Sequence, residues 1–290
     1  MRGLLDPKVD FVFKNIFGST KHPEILISFL NAILNPIKKI VSVDIKNTDI
    51  EKQFIEDKYS RLDVKATTSN GEVVNIEIQL KNENNMIKKS IYYLSKMSEE
   101  QLGEGDNYSK LGRTICINIL NFKYLKTEEF HTGYRLKEIK TNEELTDIIE
   151  VHFIEIPKLK SNSDEKDMLV AWTEFLRDPE SEKVRDLELS IDEIRQAKDE
   201  LIKMSNDDKQ RELYNMRANS LRDKISELDA AEKKGLAKGI AKGIERGMEE
   251  GKKEVAINLL DVLDDETISL KTGLSIDMIK ALRIENKNNI

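Results

Sequence analysis

Two acidic residues stand where strands should carry packing side chains: Asp63 in the run R-L-D-V, and Glu77 in the run N-I-E-I-Q. Carboxylates that close repel each other unless a cation lies between them, and hard oxygen ligands on a strand pair suit Mg²⁺. The chemistry open to this pair is therefore binding of a divalent cation, with Gln79 two residues beyond Glu77 on the same side of the chain.

The elements that must position them are two β-rich runs, 61–68 and 72–80, flanking the turn tripeptide Ser69-Asn70-Gly71. The second run alternates strictly, with Val74, Ile76, Ile78 and Leu80 on one face and Asn75, Glu77, Gln79 and Lys81 on the other. Loop length decides whether Asp63 joins the polar face. A two-residue Asn-Gly turn would set Val64 opposite Glu77 and send Asp63 to the apolar side. A three-residue loop with Gly71 left-handed would pair Thr68 with Glu72, Asp63 with Glu77 and Arg61 with Gln79. The second register is expected, because an unpaired carboxylate among Ile76 and Ile78 would cost several kcal/mol.

At these residues the sequence resembles the PD-(D/E)XK nucleases, and more narrowly the Rpn group of recombination-promoting nucleases and transposase-like proteins. The likeness rests on Asp63 and Glu77-Ile78-Gln79. It extends to D-P-K-V-D-F-V-F-K-N-I-F-G near the N-terminus, to Tyr92, Gln101-Leu102 and Tyr108-Ser109-Lys110-Leu111, and to I-C-I-N-I-L. It covers about the first 160 residues, and a later glycine repeat is also typical of the group. The resemblance implies a Mg²⁺-dependent DNA endonuclease in which Asp63 and Glu77 ligate the metal. The lysine of the superfamily motif is Gln79 here, a replacement the Rpn group itself shows. Glutamine can orient a water but supplies no charge, so Lys81 and Lys65, flanking the two acids, are accessory residues. The resemblance adds Asp10 on the first helix, and Lys96 and Gln101 on the helix after the catalytic strand. A catalytically silent DNA-binding or partner-binding protein on the same scaffold is the alternative.

The chain has 47 basic and 54 acidic residues, a net charge of −7. Residues 1–160 are balanced at 24 of each sign and residues 232–290 at 11 of each, whereas residues 161–231 hold 19 acidic against 12 basic groups. The nuclease-like part is neutral, so DNA contact would need a local basic patch. One cysteine, Cys116, inside an apolar run, leaves no disulfide or zinc cluster to build. His22, His131 and His152 are too scattered for a metal site. No apolar run approaches a membrane span and the first residues open no signal peptide, so a cytoplasmic protein is expected.

Along the chain, Asp6-Pro7 reads as the start of an amphipathic helix that Gly18 stops, and Pro23 opens a second helix ended by Asn35-Pro36. Residues 40–50 alternate as a strand, 86–102 form a helix with Ile87, Ile91, Leu94 and Met97 as its core stripe, and 113–121 is a continuous apolar strand covered on both faces. Residues 151–156 read as one more strand. The order predicts an α/β fold, a PD-(D/E)XK-type core of one mixed sheet flanked by helices, followed by an all-α C-terminal region.

Three regions are expected: a nuclease-like domain over 1–160, an acidic helical region over 161–231, and a glycine-repeat helix with a small C-terminal module over 232–290. Gly235, Gly239, Gly243, Gly247 and Gly251 recur every four residues, with Leu236, Ile240, Ile244 and Met248 each following one of them. Five glycines cost an isolated helix about 5 kcal/mol against alanine. The repeat is either a helix packed closely on a partner backbone, which is preferred and implies a homodimer, or a hinge. Residues 265–283 look like helix, glycine turn, helix, similar to a helix-turn-helix; Lys280 and Arg283 are its basic side chains, and a small helical interaction module is the stronger reading.

Overall fold

The computed structural model describes residues 3–46, 49–50, 60–61, 63–164 and 166–288. Helices α1 (Asp10–Phe17) and α2 (Pro23–Leu34) come first, and their apolar residues at three- and four-residue spacing, among them Phe13, Ile16, Phe17, Ile25, Phe29 and Leu30, are fully buried. The first helix begins at Asp10 and not at Pro7. Asp6 closes a preceding turn instead, its carboxylate accepting the Lys8 N–H at 2.9 Å.

Among the described residues eight strands follow: β1 (Val43–Ile45), β2 (Asp49–Ile50), β3 (Ser60–Arg61), β4 (Val64–Thr68), β5 (Val73–Gln79), β6 (Thr114–Leu120), β7 (His131–Lys137) and β8 (Glu144–Glu155). Six of them form one sheet in the order β1-β4-β5-β6-β8-β7, while β2 and β3 pair separately. β5, β6 and β8 run parallel and the other neighbours antiparallel, which is the mixed sheet expected. The strand expected over 40–50 is thus two short strands in different sheets, with residues 47–48 outside those described. Strand β7 has no counterpart in the sequence reading. It is an exposed edge strand, with a glycine and no clean alternation to announce it.

The hairpin has the three-residue loop. Gly71 N–H donates to the Thr68 carbonyl and Thr68 N–H to the Glu72 carbonyl, both at 2.9 Å, and Gly71 lies at φ +83°. Val64 therefore faces Ile76 and Ala66 faces Val74, and one residue further on Asp63 comes opposite Glu77. Arg61, expected across from Gln79, pairs its backbone with Asp49 in the β2–β3 ribbon.

One face of the sheet presents Val64, Val74, Ile76, Ile115, Ile117 and Ile154 to a large core with α1, α2, α4 (Met168–Arg177), α5 (Glu182–Ser190) and α6 (Asp192–Asn206). Trp172 of α4 sits at its centre, ringed by Phe17, Phe29 and Phe175. The helices of the acidic region bury Val184, Leu187, Ile194, Ala197 and Leu201 in that same core. The compact units accordingly divide as Met1–Leu221 and Arg222–Ile290, whereas composition divides at 160 and 231.

The opposite face is covered by α3 (Met86–Glu99), whose buried residues are Met86, Ser90, Tyr93, Leu94 and Met97. Ile87 and Ile91, expected in its core stripe, are exposed. The helix is turned so that Ser90 Oγ donates to Asn118 Oδ1 at 3.0 Å, because the strand surface beneath it is itself polar.

A polar chain spans the sheet at the turn end of the hairpin. Thr68 Oγ1 donates to Glu72 at 2.8 Å, Arg113 bridges Glu72 and Glu150, and Glu150 also accepts from Arg135 at 2.6 Å. His152 lies 2.5 Å from Glu150 and 2.9 Å from His131, so two histidines that looked scattered meet across β7 and β8. Burial opposes the Glu150 charge, but hydrogen bonds from His152, Arg113 and Arg135 outweigh it and hold its pKa down at about 2.

The greater part of α7 (Asp208–Leu259) belongs to the second unit, and its helical run includes all five repeat glycines, with nothing within 4 Å of where their Cβ atoms would be. Helices α8 (Asp265–Thr272) and α9 (Ile276–Asn288) join through Gly273 in the left-handed conformation, and Ile268, Leu274 and Ile279 pack with Ala256 and Leu260. Arg283, offered by the sequence as a basic side chain of the second helix, instead binds the Leu260 and Leu263 carbonyls and Asp265. No helix among the described residues is long and apolar enough to cross a membrane.

The register that aligns the two acids hangs on one left-handed residue. Gly71→Ala should therefore destabilise the first unit by roughly 1–2 kcal/mol in chemical denaturation, while Gly71→Asn, which tolerates that conformation, should cost less.

Candidate active site

Asp63 enters the site from the residue just before β4 and Glu77 from the middle of β5. The Ile78 N–H donates to Asp63 Oδ2 at 2.8 Å, so backbone fixes the aspartate against the neighbouring strand. Glu77 is only 3% exposed, and Asn75, two residues before it on the same face, is fully buried. The polar face of β5 is thus an interior surface under α3 and not a solvated one.

Lys89 of α3 reaches this interior. Its Nζ lies 2.7 Å from Glu77 Oε2 and 5.5 Å above the Tyr93 ring. The other glutamate oxygen, Oε1, is buried without a hydrogen-bond partner. A buried carboxylate oxygen left unsatisfied costs about 1–3 kcal/mol, so a water or a cation placed there would stabilise the site.

The electrostatics agree with the geometry. Burial above all, and then the Glu77 charge, push the Asp63 pKa from 3.8 to about 8; the Ile78 N–H and Lys89 oppose this, and Asp10 adds a smaller upward push. Glu77 is also raised, by burial, against the charge and hydrogen bond of Lys89. Burial tends to lower Lys89, but Glu77 overcomes it and the ammonium stays charged. The thiol of Cys116, below Asn75, is pushed up to about 12 by burial and then by Glu77.

This donor set fits a divalent cation. Asp63 and Glu77 supply hard oxygens from adjacent strands, one of them orphaned. Among the described residues no group of three or more ligating side chains is gathered, so the protein would offer two carboxylates and leave the remaining positions to water and substrate, as Mg²⁺ favours.

The other expected site residues are placed unevenly. Gln79 follows Glu77 on the same face, roughly 7 Å along the strand, and its Nε2 donates to the Lys81 carbonyl at 3.0 Å. Asp10, exposed at the start of α1, is near enough to act on Asp63. Lys65 pairs with Glu100, and Lys96 lies 3.5 Å from Glu99. Gln101 donates to Thr114 Oγ1 and accepts the Gly112 N–H, both at 2.8 Å. These three lie toward the hairpin-turn end of the face: α3 runs antiparallel to β5, and Lys96 is seven residues, roughly 10 Å, beyond Lys89. The sequence reading missed Lys89, Ser90 and Asn118. The signal available was the spacing Met86, Ser90, Tyr93, Leu94, Met97, as regular as the stripe through Ile87 and Ile91 and carrying a serine where a polar partner was needed.

Since Asp63 keeps its proton to about pH 8 in the fold and only to 3.8 when unfolded, it costs nothing below pH 3.8 and increasingly more between those values. Melting temperature in the presence of chelator should therefore fall as pH rises from 5 to 8. Asp63→Asn, whose amide oxygen can still accept the Ile78 N–H, should flatten that slope and raise apo stability at pH 8 by about 1–2 kcal/mol.

The family model for the PD-(D/E)XK nuclease family transposases matches residues 7–231, which takes in α1, the whole mixed sheet and the helices through α6. No curated protein and no solved structure is significantly similar to the chain. The match covers most of the chain, including both acids on adjacent strands of a mixed sheet, and the chain belongs to the PD-(D/E)XK nuclease family transposases.

Proposed function

We propose that the chain is a divalent-cation-dependent DNA endonuclease of the recombination-promoting type, acting in the cytoplasm. The observation that carries this reading is the half-buried Asp63 set beside the buried Glu77, whose Oε1 is left without a partner. Asp63 and Glu77 would hold the cation, Mg²⁺ by the character of its ligands, and Gln79 would orient the attacking water through its amide. A cation held there polarises the phosphoryl oxygen and lowers the pKa of a water. Asp10 is an accessory carboxylate beside Asp63. Lys81, at the open end of β5, and Lys65, Lys96 and Gln101, toward the turn, line the path along which a DNA backbone would run. A reducing compartment suits a chain whose one cysteine is buried and unpaired.

One observation favours a second reading, a silent scaffold that binds DNA or a protein: the third motif position is an uncharged glutamine whose Nε2 donates to the Lys81 carbonyl. Plasmid nicking separates the two. Supercoiled DNA should be cut with Mg²⁺ and left intact with chelator, and Asp63→Ala or Glu77→Ala should lower the rate at least ~100-fold. Salt-dependent DNA binding without any Mg²⁺-dependent nicking would favour the scaffold.

The chain would work as a homodimer through the repeat helix. Leu236, Ile240, Ile244 and Met248 are 65%, 54%, 59% and 65% exposed on α7, a ridge beside the open glycine positions. Glycine every four residues lets backbones approach closer than the usual 8–10 Å, and each ridge residue fully buried would contribute about 1.5–3 kcal/mol. Sedimentation of the wild type should give a dimer at tens of micromolar, and the double substitution Gly239→Leu, Gly243→Leu should shift it toward monomer. A dimer indifferent to those changes would point elsewhere on the surface.

A further inference from the structure

The positive charge that Gln79 cannot supply has to come from another side chain if this site hydrolyses phosphodiesters, and the fold restricts where it can originate. Lys65 is engaged by Glu100 and Lys96 sits beside Glu99 at the turn end of the face. Lys81 lies beyond the last residue of β5. Lys89 has its ammonium on a site carboxylate, 2.7 Å from Glu77 Oε2, with its side chain 32% exposed and so reaching from the interior to the rim.

Its placement is built from the helix. Ser90, the next residue, is tied to Asn118, the direct neighbour of Glu77 across β5 and β6, and the Tyr93 ring, one turn on, lies 5.5 Å from the Lys89 ammonium. These contacts set the rotation of α3 and aim Lys89 along the Glu77 side of the face. Charge balance then separates two states. Without a divalent ion, Lys89 is the counter-charge for Glu77. With two positive charges held between Asp63 and Glu77, the carboxylates are neutralised and an ammonium against them is repelled. The nearest new anion would be the phosphodiester itself.

We propose that Lys89 is the cation missing from position 79: it occupies Glu77 until a divalent ion takes that carboxylate, and then turns its ammonium to a non-bridging oxygen of the scissile phosphate. This rests on the nuclease reading above. It makes Lys89 both a competitor for the site and a catalytic residue of it.

The test uses the full-length chain with Lys89→Met, which keeps an unbranched aliphatic side chain without the charge, and Lys89→Arg, which keeps the charge. Mn²⁺ binding, followed by calorimetry without DNA, reads the competition independently of turnover. Lys89→Met should bind Mn²⁺ about 3- to 10-fold more tightly than the wild type, the scale of one partly exposed ion pair. Its cleavage with saturating Mn²⁺ should fall at least ~100-fold, and Lys89→Arg should retain cleavage to within about tenfold. Weaker or unchanged Mn²⁺ binding in a Lys89→Met chain with a wild-type circular dichroism spectrum would overturn the competition. Undiminished cleavage would overturn the catalytic role. If Lys89→Met does not fold, Lys89→Arg decides: cleavage at the wild-type level supports the charge requirement, and cleavage lost despite retained charge and fold overturns it. Wild-type Mn²⁺ binding with no cleavage would remove the nuclease reading and the catalytic role of Lys89 with it, while the affinity ratio still decides whether Lys89 guards Glu77. No Mn²⁺ binding at all would remove the metal reading and this proposal together.

Discussion

Two carboxylates set side by side under a helix are the constraint to which the first unit is arranged. Each alone would cost several kcal/mol to bury without a partner, and together they repel. The fold meets this with three devices. Gly71 fixes the register that puts both on one face, the Ile78 N–H binds one oxygen of Asp63, and Lys89 binds one oxygen of Glu77. The fourth element of the balance, the lone oxygen of Glu77, is left open. A sheet that only had to be stable would have put Ile or Val at both positions, and β5 does so on its other face.

The two faces of the sheet therefore do different work. One is apolar and thick, with five helices and an aromatic cluster around Trp172, and it supplies the rigidity. The other carries Asn75, Glu77 and Asn118 in adjacent strands, all 3% exposed or less, beneath a single helix. Side chains on strands of a well-packed sheet hold their geometry better than those on loops, and here the packing that secures these polar groups comes from the opposite side. The polar chain from Thr68 through Arg113 and Glu150 to His131 extends that fixation to the edge strand β7.

Much of this was legible in the sequence because it was written in short-range patterns. The Ser69-Asn70-Gly71 turn and the strict alternation of 74–81 determine the register of Asp63 against Glu77, and the cost of a misplaced carboxylate chooses between the two turns. The apolar run of β6, the helix over 23–34 and the continuous helix through the glycines are of the same kind. What was not legible depends on contacts between segments far apart. The rotation of α3 is decided by Asn118, 28 residues from Ser90, and with it Lys89. The meeting of His131 and His152 needs the antiparallel pairing of β7 with β8, and β7 lacks the alternation that would have announced it. The helices after residue 161 looked like a separate acidic region because their outer faces hold the charge, while their buried faces complete the main core.

Cys116 carries a consequence of its own. It sits in the middle of β6, which has three strands of the sheet on one side and two on the other, and where every residue from Thr114 to Leu120 is buried. A thiol held that deep and that far above its ordinary pKa is almost never the thiolate, so alkylating reagents and oxidants find nothing to attack in the folded chain. Its labelling would be governed by the rarest opening of the molecule, the parting of the central strands, and not by breathing at the rim. The chain thereby contains its own reporter: the rate at which a thiol reagent marks it is a clock for global unfolding, readable with no substitution, and any cysteine placed on the surface could be labelled selectively against that silent background.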